Sequence, residues 1–556
     1  MKLAKVKIQN YRSIKDIEFD FPESGILVLV GENNAGKSNI IRAIDLICGE
    51  AWIGKEKLED HDYYLRNKEN EIKIDLFFDT RNSVHFSPEN SKWGVSGYDD
   101  WNQQRKNYQF QIKELFPSTY LGADRTLDKH LSFYDWSLIG RIRKAFHKNV
   151  SEELKDSLDS KFRELIQIFD EVPGFKDFKD DFTSNYKSLL PSFKTDLQVD
   201  FQPFTPTNYF KTMQILGIDP QFSDKPLDLS ELGEGARNLI LIALLKSFAK
   251  NFKNNGGALS GILALEEPEL FLHPQARRHL FKELRGLAEE GMQVIISTHS
   301  DSFIDTEFFD EIGRVVKVED EENEGKLCTE LKTCSKSALV EKCITTGVPG
   351  SKVSLENITE FYKTTSNYRL NEGFFARCLI LVEGETEEMV FPELLRELDI
   401  DCDSMGISII AVQGKNQIPK YWRLYSQFSI PIIVVIDDDD DESSNKNIAT
   451  CFGIEESEIV NGGKGVKTLE SKSEPLTKLL IMEKDFETTF EKEIDQIEEG
   501  LFKVYEAEAK ELIKPIKKQQ KGAIARYVVR KALEKEGFNS AIGITLGELI
   551  NESLAV

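Results

Sequence analysis

GILVLVGENNAGKSNIIRAIDLI, residues 25–47, decides the fold of the N-terminal half of the chain. Its first six residues are an apolar run of strand length, Gly31 to Ser38 form a glycine-containing loop, and the remainder has helical periodicity. Strand, G-x-x-x-x-G-K-S loop and helix arrive in the order that a phosphate-binding loop needs. Gly31 and Gly36 let backbone N–H groups close round a phosphate, with Asn33 and Asn34 in the loop between them. Lys37 brings positive charge to the β- and γ-phosphates, and Ser38 can ligate Mg²⁺ while the helix N-terminus favours the anion. ATP with Mg²⁺ is the expected ligand.

Further along, GILALEEPELFLHPQ (residues 261–275) opens with an apolar strand, Ile262 to Leu265, that ends in Glu266 and Glu267. This resembles the Walker B segment of ABC-class ATPases. The resemblance gives Glu266 the support of Mg²⁺ and Glu267 the polarisation of the attacking water. A second apolar strand, Val294 to Ile296, leads into Ser297, Thr298, His299 and Ser300, and His299 matches the histidine that senses the γ-phosphate in that class. LDLSELGEGARNLILIALLKSFA (residues 227–249) resembles the ABC signature and its helix, with Gly233 and Gly235 allowing backbone approach to phosphate. The usual Ser-Gly-Gly-Gln is not spelled out there, so Ser230 and Glu231 carry no assigned role and a plain helix entry stays open. Arg125 is open between a phosphate contact and a salt bridge. VSEELKDSLDSKFRELIQIF (residues 150–169) alternates charged and apolar positions at helical spacing. It marks residues 141–200 as a helical insertion, packing on its own domain or forming a dimerisation arm.

A second set of carboxylates follows. In ARCLILVEGETEEMVFPELLREL (residues 376–398) an apolar strand, Cys378 to Val382, ends at Glu383, and a helix begins after Gly384. Glu383 and Glu387, four residues apart, can serve one site from the strand end and the first helical turn. GISIIAVQGKNQ (residues 406–417) adds a strand and a turn at Gly414, and IPIIVVIDDDDD (residues 430–441) a strand that runs into five aspartates. Strand alternation places Asp437 and Asp439 on one face and Asp438 on the other. Carboxylates that close repel unless cations sit among them. Hard oxygen ligands suit Mg²⁺ or Mn²⁺ and exclude a thiolate zinc site. Asp440 and Asp441 read as solvated.

A Glu after one strand and Asp-x-Asp after a later one resembles a Toprim domain, the fold shared by topoisomerases, primases and certain nucleases. LVEGETEE followed by PELLREL is similar to the OLD (overcoming lysogenization defect) family nucleases, which join an N-terminal ABC ATPase to a C-terminal Toprim domain. The implied fold class is α/β: an SMC/RecF-like ABC ATPase at residues 1–140 and 201–345, a connector at 346–370 and a Rossmann-like Toprim domain at 371–556. The resemblance implies an ATP-binding or hydrolysing, metal-dependent DNA endonuclease, with Glu383, Glu387, Asp437 and Asp439 in a two-metal site and Glu383 also handling protons. It further implies a D-hydrophobic-E acid pair, matched by Asp485 and Glu487 in LLIMEKDFETTF (residues 479–490) with Glu487 preferred, and a late lysine, for which Lys521 is the nearest match. DNA as substrate, a homodimer or larger oligomer, a helicase partner, and a role in phage defence or DNA repair are implied by the family alone. The alternative is a RecF-like DNA clamp switched by ATP and lacking nuclease activity. No zinc module suits a primase, and little room is left for a topoisomerase strand-passage domain.

Composition bounds these readings. The 556 residues carry 40% hydrophobic and 30% charged side chains, as an ordinary globular chain does. A net charge of −24 excludes a uniformly basic nucleic-acid binder, so DNA contact must be local or metal-mediated. The candidate basic stretch runs from Lys510 to Lys535 through Lys514, Lys517, Lys518, Lys521, Arg526, Arg530 and Lys531, with a solvated helix face as the equal alternative. Seven scattered cysteines without a C-x-x-C pair suit a reduced, cytoplasmic protein. Neither a signal peptide nor an apolar run of membrane-spanning length is apparent, so no membrane partner is expected.

Overall fold

A computed structural model describes residues 1–49, 51, 58–88, 94–99, 101–106, 108–122, 151–169, 261–270, 272–438, 441–460, 465–513 and 521–555, with scattered positions between 174 and 247. Several expectations lie outside the described residues: Arg125, Ser230, Glu231, Gly235, Asp439, Asp440, and Lys514, Lys517 and Lys518.

Among the described residues the N-terminal half holds two sheets. Strands β1 (Leu3–Tyr11) and β2 (Ile14–Asp20) form an antiparallel hairpin, and β3 (Ile26–Val30) starts a separate sheet. The first sheet continues through β4 (Lys73–Phe78), β5 (Ser83–Phe86), β6 (Val95–Tyr98) and β7 (Gln104–Lys106), all antiparallel, in the order β2-β1-β4-β5-β6-β7. Period-two alternation, with Val6 and Ile8 buried and Lys5 and Lys7 less so, gives it one core face.

The second sheet adds β8 (Ser118–Leu121), β9 (Ile262–Glu266), β10 (Gln293–Ser297), β11 (Ile312–Glu319) and β12 (Leu327–Thr333), in the order β12-β11-β3-β10-β9-β8. Strands β8, β9, β10, β3 and β11 are parallel, and β3, β9 and β10 are buried along their whole length. Burial on both faces is why their sequences are continuous apolar runs instead of alternating ones. Because β10 lies between β3 and β9, the loops that leave all three emerge side by side.

The third sheet comprises β13 (Cys378–Val382), β14 (Ile407–Ala411), β15 (Ile432–Asp437), β16 (Lys467–Glu470) and β17 (Lys478–Met482), in the order β14-β13-β15-β17-β16. All are parallel except β16. Strand order reverses between β13 and β15, since β14 lies on one side of β13 and β15 on the other. Such a switch point, at the carboxyl ends of the strands, is where open α/β sheets bind ligands.

Five helices matter for the sites: α1 (Lys37–Cys48), α2 (Pro274–Glu289), α3 (Glu385–Arg396), α4 (Phe486–Asp495) and α5 (Lys521–Leu533). Residues 152–169 of the expected insertion form one amphipathic helix. The stretch 346–370, expected as a connector, carries helix Leu355–Thr365, capped by Ser354 and anchored by buried Ile358 and Tyr362. One apolar core runs from Val28, Leu263 and Ile296 through to Leu379, Ile432 and Leu479, so the second and third sheets share it. Arg314 of β11 ties the seam: its buried guanidinium donates to the carbonyls of Phe428 (3.1 Å), Ser429 (3.0 Å) and Ala376 (2.8 Å), just ahead of β15 and β13. All seven cysteines are free thiols. Among the described residues no helix is long and apolar enough to cross a membrane.

Candidate nucleotide site and carboxylate site

The loop after β3 turns on two glycines where a side chain would meet both backbone strain and close neighbours. Gly36 has φ +117°, and a Cβ there would sit 2.4 Å from Thr329 Oγ1 and 2.7 Å from its Cγ2. At Gly31, φ +141°, a Cβ would lie 2.2 Å from the Val315 carbonyl oxygen. Asn33 and Asn34 are exposed, with Asn34 in the left-handed region at φ 63°, and Ser38 is half-buried at the start of α1. Lys37 is buried. Its ammonium donates to the carbonyls of Gly31 and Glu32, each at 2.9 Å, and lies 2.9 Å from His299 Nε2. Burial lowers the Lys37 pKa to about 8, against the pull of Glu267, Glu269 and Glu266. Burial and the Lys37 charge also lower that of His299. A neutral imidazole accepts from the ammonium through Nε2, which places its own proton on Nδ1.

From the next strands, Glu266 is buried at the end of β9, and Glu267 follows with φ 45°, its N–H donating to Ser297 O at 2.7 Å. A non-glycine residue held there costs about 1–3 kcal/mol, a strain characteristic of functional turns. The structure thus brings Lys37, Glu266, Glu267 and His299 to the carboxyl end of the central strands of the second sheet. Sequence reasoning missed Glu269. It is buried, and its Oε1 accepts from Thr298 Oγ1 and from the His299 N–H, both at 2.8 Å. Its only sequence signal was a third acid in Glu-Glu-Pro-Glu. Of the signature segment Gly233 and scattered positions of its helix between 239 and 247 are described, among them buried Ile242 and Lys246, which pairs with Glu283.

At the switch point of the third sheet Glu383 and Asp437 meet: Glu383 Oε1 accepts from the Asp437 N–H at 2.9 Å. Parallel pairing of β13 with β15, with Leu381 opposite Val434, brings the carboxyl ends of both strands to the same end of the sheet, from where the Glu383 side chain reaches the longer β15. Glu387 is buried on the first turn of α3 and turns one oxygen back to the Gly384 N–H at 3.1 Å, so it also caps the helix. Asp438 is buried, with its N–H on Met482 O at 3.0 Å. Asp441 caps the helix Glu442–Phe452.

The C-terminal pair behaves unequally. Both acids line a cleft of about 450 Å³ together with Lys521, but Asp485 also caps α4, accepting from the Thr488 N–H at 2.6 Å. That cleft, between α4 and α5, brings the preferred acid and the late lysine together. A Cβ on Gly522 would come within 2.8 Å of Met389 Sδ, so the start of α5 lies against the helix that follows Glu383. The basic stretch is largely spoken for. Arg526 and Arg530 bind buried Glu393, Lys531 pairs with Glu534, and Lys510 pairs with Glu506.

Among the described residues no three acidic, histidine or cysteine side chains stand close enough to cage a metal alone. Glu383 and Asp437 are nonetheless an all-oxygen donor pair arriving from two strand ends, the chemistry that suits a hard divalent cation.

Similarity to known proteins runs along the same lines. The family described as "AAA ATPase domain" matches residues 1–116 and 95–304. That described as "Overcoming lysogenization defect protein-like, TOPRIM domain" matches residues 374–439. The OLD nuclease of Thermus scotoductus is 25% identical over 461 residues, covering 78% of this chain and 81% of its own. The Old nuclease of Escherichia phage P2 is 25% identical over 478 residues, with 77% and 76% covered. Endonuclease GajA of Bacillus cereus is 21% identical over 452 residues, with 74% and 71% covered.

Proposed function

This chain belongs to the AAA ATPase-domain family and carries an OLD-like Toprim domain behind that ATPase, and from this premise we propose that it binds and hydrolyses ATP and cuts DNA phosphodiesters at a divalent-metal site. The observation that carries the reading is the Glu383–Asp437 contact at the topological switch point. In the nucleotide site Gly31, Asn33, Asn34 and Gly36 shape the loop, Lys37 meets the phosphates, and Ser38 with Glu266 holds Mg²⁺. Glu267 orients water, and His299, steadied by Glu269, reads the γ-phosphate.

Glu383, Glu387, Asp437, Asp439 and Glu487 are the residues that would hold Mg²⁺ or Mn²⁺ in the Toprim domain. Bound there, the ions supply Lewis acidity toward the phosphodiester. In this reading Glu383 would take a proton from the attacking water, and Lys521 would offset charge on the departing oxygen. The proposed boundaries are 1–140 and 201–345 for the ATPase, 141–200 for the insertion, 346–370 for the connector and 371–556 for the Toprim domain. Two copies completing each other's nucleotide sites, and a role in phage defence, belong to the same reading and rest on the family arrangement.

The test is supercoiled plasmid incubated with the purified chain and Mg²⁺, Mn²⁺ or chelator, with and without ATP. Metal-dependent loss of the supercoiled form is expected. Its absence under all conditions leaves the ATP-switched clamp as the better account. Lys37→Ala, which removes the phosphate-binding ammonium, separates the ATP role from the cutting role.

A further inference from the structure

Lys415 follows Gly414 in the turn after β14, and the sequence gives no reason to single it out. It is buried, at 5% exposure. Its ammonium donates to the carbonyl oxygens of both Asp437 and Asp438, the latter at 3.2 Å. The same turn grips the neighbouring strand: the Gly414 N–H donates to Glu383 O at 2.8 Å, and the Val412 N–H to Val382 O at 3.0 Å. Asn445 adds a second donor to Asp438 O at 3.2 Å. With the Asp437 N–H on Glu383 Oε1, these contacts close a ring through Glu383, Gly414, Lys415 and Asp437.

An ammonium taken out of water is costly unless something nearby needs its charge. Here the need is visible. Glu383 and Asp437 meet at this end of the sheet, with Glu387 on the following helical turn and Asp438 next along the chain, and the Lys415 ammonium reaches the backbone of both aspartates. Two neutral carbonyls would be satisfied as well by an amide or a water, so hydrogen bonding alone does not explain a buried charge.

We propose that Lys415 is a positioning residue of the metal centre, a buried cationic clamp that fixes the ends of β13 and β15 in register and steadies their carboxylates so that they receive a divalent cation. This rests on the nuclease reading for its purpose, but its structural content does not need DNA.

The decisive measurement is Mn²⁺ titration of the full chain without nucleotide, followed by loss of the free-ion EPR signal, for wild type and Lys415→Met. The clamp predicts affinity weakened by about 10- to 100-fold, as for outer groups that orient metal ligands. It also predicts plasmid cleavage with a raised metal requirement and a maximal rate near wild type, while ATP hydrolysis is unchanged. A general packing defect would instead lower the maximal rate and the melting temperature without raising the metal requirement. Wild-type Mn²⁺ affinity in folded Lys415→Met overturns the proposal. Should that variant not fold, Lys415→Gln keeps a donor for one carbonyl without the charge; weakened affinity is again expected, and wild-type affinity again overturns the clamp. Failure of wild type to cut DNA counts against the nuclease reading and leaves the Mn²⁺ titration to judge Lys415 by itself.

Discussion

Replacing Gly36 by alanine should disable the nucleotide loop while leaving the rest of the chain folded, and the size of the effect follows from two separable costs. The backbone there, φ 117° and ψ 10°, is one that L-residues rarely adopt, at about 1–3 kcal/mol. The new methyl would also press to 2.4 Å from Thr329 Oγ1, and Thr329 cannot yield. It is 1% exposed, donates to Ala35 O and is hydrogen-bonded to the Ser13 hydroxyl, both at 2.8 Å. Overpacking of that kind costs about 1–3 kcal/mol more. Even the lower total, about 2 kcal/mol, weakens ATP by about 30-fold if it falls wholly on the binding-competent loop. Fluorescent ATP-analogue titration measures this directly. The double variant Gly36→Ala/Thr329→Ala removes the clash but not the dihedral strain, so it should recover part of the affinity and show a positive coupling. Binding by Gly36→Ala within threefold of wild type, or no recovery in the double variant, refutes the reasoning.

Four further outcomes are expected. Glu269→Ala frees the His299 N–H and Thr298 and should slow ATP hydrolysis by about tenfold or more, through lost placement of His299, with little change in ATP affinity; equal losses in both would point to collapse of the loop instead. With Lys37 lowered to about 8, apparent ATP affinity should fall as pH rises through 8, because binding then requires uptake of a proton; isothermal titration in buffers of different ionisation enthalpy reads that proton. The apo protein carries the opposite sign. Between about pH 8 and 10.5 the unfolded chain binds the extra proton, so the Lys37 contribution to stability increases across that window. Arg314→Met strands the carbonyls of Phe428, Ser429 and Ala376 and should cost on the order of 3 kcal/mol, seen as a lower urea midpoint for both domains together.

Legibility in the sequence followed the range of the interaction. Gly31 to Ser38 were readable because strand, turn and helix are consecutive, and the backbone angles at Gly31 and Gly36 are set locally. Glu266 and His299 were readable because each closes a buried strand, even though only the sheet order places them beside Lys37. Glu383 and Asp437 were readable because each stands at the end of an apolar strand, whereas their meeting at the switch point depends on the parallel pairing and order of the sheet. Glu269 was not singled out, because its role depends on reaching the N–H of a residue 30 positions away. Likewise, the basic stretch suggested a DNA-facing surface, yet Arg526 binds Glu393, 133 positions distant, and no periodicity announces such a partner. Residues 355–365 read as connector because the stretch 346–370 holds few apolar runs, although Ile358, Phe361 and Tyr362 pack a helix there against the core.

The most direct test of the account is the cleavage of supercoiled plasmid by wild type and Asp437→Ala in parallel, with Mn²⁺ present and the Lys37 site intact. Asp437 joins Glu383 to the end of β15, so its alanine variant should retain ATP hydrolysis and lose plasmid cleavage by at least about a hundredfold. Cleavage by Asp437→Ala at the wild-type rate would contradict the claim that these carboxylates cut DNA.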